Sequence, residues 1–178
     1  MALSYQAFPY RMGIGFPGTA SRMHPASTIE PGAVLTTNPP TFYGEGVFID
    51  VTTGYIRAPV VGDQPSGLCY GIVYRPYPFQ ISSASNWGAQ GFGTAPLPTA
   101  GEIDVLRSGY VLVPVNVGAT PVKGQPVFLW VAATLGNHIQ GGFESAATAG
   151  STLALDAKTT WMNNGADPFG VAEIGFNI

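Results

Sequence analysis

The chain has 178 residues, 24 of them Gly and 16 Pro, with 10% charged residues and a formal net charge of -3. That length suits one domain large enough to bury a core without a disulfide or a metal, and the single cysteine, Cys69, leaves no internal disulfide to form. Breakers argue against an all-helical or α/β fold: a helix wants about 10 to 12 residues free of interior Gly and Pro. Only residues 151–164 offer such a window, and Thr159, Thr160 and Trp161 favour a strand even there. Seven Lys and Arg, scattered along an acidic chain, give no basic face for a phosphate backbone, so no nucleic-acid partner is expected. The start lacks a basic segment followed by an apolar core, and no 18 apolar residues run together, so neither a secretory leader nor a membrane span is expected.

Residues 1–32 are rich in Gly, Pro, Met and aromatics and follow no period of two or 3.6. They are expected to form an irregular N-terminal arm whose apolar side chains pack on the body or on a partner. From residue 33 onward, short β-rich runs alternate with turn clusters. The runs 33–37 and 47–51 come first, with Val47, Ile49 and Val51 on one face, and 55–61 follows after Thr53 and Gly54, a tight-turn signal for a hairpin. Pro59 places that second strand at an edge. After a run at 68–74, residues 82–99 are too long for an ordinary turn and are expected to be an exposed contact loop carrying Trp87. The runs 102–107 and 110–117 are separated by Ser108 and Gly109, a two-residue hairpin signal, with Val111, Val113, Val115 and Val117 on one face. Runs at 126–131, 137–140, 152–155 and 169–176 complete about ten strands. The fold class expected is all-β, a single jelly-roll-like β-sandwich or barrel over 33–178 with the arm over 1–32.

Signals for chemistry are weak. The segment 13–18 has the letters of a dinucleotide fingerprint but the prolines Pro9, Pro17 and Pro25 and no acid about 20 residues on, so it is expected to be a turn. His24 and His138 are too far apart in sequence to suggest a zinc pair. Glu102 and Asp104 share one strand face and fit a solvated edge, and Cys69 between Leu68 and Tyr70 fits a small buried apolar residue. Among the three indoles, Trp130 is expected in the core, Trp161 could lie in the core or at the surface, and Trp87 is the one expected to be exposed. No catalytic, cofactor-binding or metal-binding residue is assigned.

Three segments in order, Arg107-Ser-Gly-Tyr-Val-Leu-Val-Pro-Val115, Val122-Lys-Gly-Gln-Pro-Val-Phe-Leu129 and Ala166-Asp-Pro-Phe-Gly-Val-Ala-Glu-Ile174, resemble the structural cement proteins of tailed-phage capsids, as does Phe16-Pro-Gly-Thr19. The resemblance implies a non-enzymatic virion protein without cofactor, made in the bacterial host cytoplasm. It would bind the outside of the assembled head, lie across contacts of the major capsid protein and form homo-oligomers. Tyr10, Arg11, Phe16, Arg22 and Trp87 are the candidate contact residues. The alternative is a carbohydrate- or receptor-binding β-sandwich of a virion, with Trp87 as its anchor.

Overall fold

A computed structural model describes residues 14–22, 24–63, 68–76 and 97–178. Among these residues the chain forms eleven strands: β1 (Ala20–Arg22), β2 (Thr28–Ala33), β3 (Gly46–Ile49), β4 (Ile56–Arg57), β5 (Gly71–Val73), β6 (Glu102–Pro114), β7 (Phe128–Trp130), β8 (Phe143–Glu144), β9 (Thr152–Ala154), β10 (Thr160–Trp161) and β11 (Val171–Phe176). An eight-stranded antiparallel sheet runs β10-β11-β6-β5-β3-β4, with β1 and β2 also pairing with β6, and a three-stranded sheet runs β8-β7-β9. The fold is therefore nearly all β, as expected, in two sheets rather than a closed barrel. The helix-capable window holds β9 and β10 instead of a helix.

The small sheet covers the large one. A Cβ added at Gly46 of β3 would lie 2.6 Å from a Leu129 methyl of β7, and one apolar cluster unites Ile72, Leu106, Val111 and Ile174 with Leu129, Phe143 and Leu153. A second cluster gathers Val34, Tyr43, Val47, Ile56, Val73, Ile103 and Val105. Each fully buried aliphatic side chain contributes about 1.5 to 3 kcal/mol relative to exposure.

The strand β6 organises both clusters and corrects the expected hairpin at Ser108 and Gly109. These residues lie inside one 13-residue strand, where β6 exchanges its neighbours on both edges. Its first half is flanked by β2 and β5, its second by β1 and β11. Thr28 pairs with Ser108 but Ile29 with Leu106, which leaves Arg107 as an extra, bulged residue. One extra residue reverses which parity faces inward, so Leu106 and then Val111, Val113 and Val115 all reach the main cluster. Gly109 adopts φ 137°, which β-branched residues avoid. The same letters that make a two-residue turn here follow the bulged Arg107 inside one strand.

Other elements shift for local reasons. The β3–β4 hairpin forms, pairing Phe48 with Arg57 and Ile49 with Ile56, and β4 closes one end of the strand order. Val51, however, is 97% exposed. The Asp50 carboxylate accepts hydrogen bonds from Thr52 N, Thr53 N and Thr53 Oγ1, which starts the turn one residue earlier. Val117 lies beyond the end of β6 and is exposed. Residues 137–140 form turns, with strand structure resuming at β8. Within the segment 1–32, β1 and β2 are sheet strands with mostly exposed residues.

Candidate functional site

The segment Phe16-Pro-Gly-Thr19 ties the N-terminal region to the body. Gly18 N donates to Leu112 O at 2.7 Å, Leu112 N donates to Thr19 O at 3.0 Å, and Arg75 N donates to Gly18 O at 2.8 Å. Gly18 and Gly44 both have positive φ, and a Cβ on Gly18 would lie 2.9 Å from both Gly44 N and Val73 O. Only glycine allows this backbone crossing. Phe16 remains 44% exposed. Its ring lies 5.6 Å from the Arg75 guanidinium, which also covers the Tyr43 ring at 4.5 Å. Residues 14–18 of the dinucleotide-like segment thus turn into β1, with no helix behind them among the described residues.

Arg22 of β1 reaches across the sheet. Its Nε donates to Glu173 Oε1 at 2.8 Å and a terminal nitrogen pairs with Oε2, while Ser21 Oγ donates to the same carboxylate. The guanidinium sits 4.5 Å over the Tyr110 ring, and His24 meets that ring edge-on at 5.6 Å. Hydrogen bonds from Arg22 hold the Glu173 carboxyl below its usual range, despite partial burial. A second polar cluster lies over β2 and β6, where Tyr70 Oη donates to Glu30 and Arg107 stacks 3.5 Å over Tyr70. Of the expected contact residues, the structure thus places Phe16 and Arg22 on the surface at the N-terminal strands. Tyr10, Arg11 and Trp87 lie outside the described residues, as does most of the 82–99 loop.

Reactive groups are held in internal bonds. Burial pushes the Cys69 thiol up to about 12, against weak hydrogen bonding to the Gly71 and Val47 carbonyls, so little nucleophilic thiolate forms. Glu102 is exposed and Asp104 half-buried, in keeping with a solvated edge. Trp130 and Trp161 are both core residues, which leaves Trp87 alone to support a carbohydrate reading. Among the described residues, no three His, Cys, Asp or Glu side chains group as metal ligands, and no helix is long and apolar enough to cross a membrane.

Sequence reasoning missed the buried polar residues Glu45, Asp63, Asn116 and Glu144. Asp63 takes a bidentate pair from Arg57 and a hydrogen bond from Val60 N. Glu144 Oε1 accepts from Asn116 Nδ2 at 2.7 Å and lies 2.7 Å from His138 Nδ1. The six-residue spacings of Arg57–Asp63 and His138–Glu144 left a local trace in the sequence, whereas the Asn116–Glu144 contact, 28 positions apart, left none.

The model of the family described as XM1 gp53 minor capsid protein matches residues 5–176. The chain belongs to that family. It is accordingly a tailed-phage capsid component, a structural protein of the virion. A chain in a solved structure titled "The capsid of Myoviridae Phage XM1" matches with a TM-score of 0.65 at 20% identity. The match covers 99% of this chain and 98% of that one, so the two share their fold. A comparison with curated proteins finds no match.

Proposed function

We propose that this minor capsid protein is a cement protein: it binds the outside of the assembled head as a homo-oligomer and stabilises contacts of the major capsid protein, without catalysis. The observation that carries the reading is the family match over residues 5–176. Its physical support is a surface poor in charge. With 10% charged residues against a usual share of about 25%, a permanent interface has few ions to desolvate. The N-terminal region, residues 1–32, is proposed as the contacting segment, with Tyr10, Arg11, Phe16 and Arg22 on it and Trp87 on the 82–99 loop. Arg22 already has Glu173 as a partner, so it would offer a neighbour the exposed edge of an ion pair rather than a free charge.

A ligand that binds only the assembled shell stabilises it by mass action, about 2.7 kcal/mol per site at a hundredfold excess over Kd. Heads prepared with and without the protein should therefore release DNA at different temperatures, the occupied heads later. Equal release temperatures, with occupancy verified by sedimentation, would remove the cementing role.

A further inference from the structure

We propose that Glu45 and Gly141 form a proton-held latch, closed over a neutral carboxyl and released when that carboxyl ionises, which sets the position of the loop over residues 133–142. Glu45 is 1% exposed. Its Oε2 accepts from Thr41 N at 2.6 Å, Thr41 Oγ1 at 3.2 Å and Phe42 N at 3.2 Å. Its other face lies against Gly141, where an added Cβ would be 2.5 Å from Glu45 Cγ and 2.8 Å from Oε1. The backbone closes the same contact, since Gly46 N donates to Gly141 O. Among the described residues, none of the ion pairs includes Glu45.

The titratable side chains on the elements around it have other partners. Arg75, beyond β5, covers Tyr43 of the Glu45 turn, and on the loop side His138 and Glu144 meet each other. A carboxylate formed in this place would lack a countercharge: its Oε2 keeps three donors, while Oε1, against Gly141, depends on water for solvation. Admitting water requires Gly141 to lift. Burial holds the Glu45 proton to about pH 7, against the hydrogen bonds that favour the ion, so release falls near neutrality.

The far side of the loop supplies a hinge. His138 stacks on Trp130 at 4.3 Å, Asn116 Oδ1 accepts from Ile139 N, and Gln140 Nε2 donates to Val131 O. Leu135 and Ile139, 72% and 51% exposed, ride on this loop. The latch therefore links proton concentration to the placement of two exposed apolar side chains. It stands independently of the cementing reading.

Amide hydrogen exchange tests it directly, because Gly141 N donates to Trp130 O at 2.8 Å and reports closure. In the wild-type protein, Gly141 protection, corrected for intrinsic exchange, should fall about tenfold from about pH 6 to about pH 8.5. In Glu45→Gln, a neutral side chain of the same shape, it should stay flat. A flat wild-type profile, or an equal fall in the variant, would overturn the latch. If the variant does not fold, the protonated-carboxyl stretch in wild-type infrared difference spectra must vanish over the same pH interval as the protection, and loss at a different pH sinks the proposal.

Discussion

Glu45 gives the folded chain a pH signature of known sign. Its carboxyl keeps a proton to about pH 7 when folded, against 4.5 as the ordinary value, because burial disfavours the ion. Over that interval unfolding releases a proton, so its contribution to stability is full below the lower value and is lost as pH rises through the upper one. At about 1.36 kcal/mol per unit, the loss is roughly 3 kcal/mol. Urea midpoints at about pH 5 and about pH 8 should therefore differ in wild type and converge in Glu45→Gln. Arg57 and Asp63 form a pair whose halves need each other. Replacing Arg57 with Ala leaves the largely buried Asp63 carboxylate without its bidentate partner. The expected cost is about 3 kcal/mol, readable as a lower urea midpoint, whereas the double variant Arg57→Met with Asp63→Leu should recover part of it.

Within the elements, Gly109, just past the bulge of β6, makes the sharpest demand on residue type. Gly109 combines φ 137° with a Ser27 Oγ 2.6 Å from where a Cβ would sit, so Gly109→Val should cost about 1 to 3 kcal/mol. Gly62 is the control: it has open space and no positive φ, and Gly62→Ala should leave the urea midpoint equal or slightly higher. The bulge also shows why sequence reading divides as it does. The β3–β4 hairpin was legible because Thr53 and Gly54 act locally. Ser108 and Gly109 carry the same local signal, but partners on both edges turn it into a strand interior, and those partners are distant in sequence. The strands β1 and β2 left no period of two because their residues are largely exposed and have no buried face to record. Phe16 and Arg22 stood out by composition alone. Asn116 did not, since its partner Glu144 lies 28 positions away, and Glu45 did not because its nearby partners, Thr41 and Phe42, bond it largely through backbone groups that carry no side-chain signal.

Across the whole molecule, sparse charge makes a prediction about association. If the interface with the shell rests on apolar and backbone groups, raising salt from about 0.1 M to about 1 M shortens the Debye length from about 10 Å to about 3 Å yet should weaken head binding only modestly. A steep loss in sedimentation assays at high salt would point instead to ionic contacts. The all-β class was legible at this scale because breaker frequency is a property of the entire chain, and a sandwich was one of the two architectures expected, but which strands go to which sheet was not legible, because it depends on β7 to β9 folding over the larger sheet. The strand β6 has one more consequence, in the order of events during synthesis. Its second half needs β1, from near residue 20, on one edge and β11, residues 171–176, on the other. Until β11 has emerged from the ribosome, the segment 109–114 has an open edge of the kind that pairs with other chains. Completion of the main sheet must therefore wait until β11 has been made and has emerged, long after β1 and β6 are in place, and the sheet cannot close in the order in which its strands are synthesised.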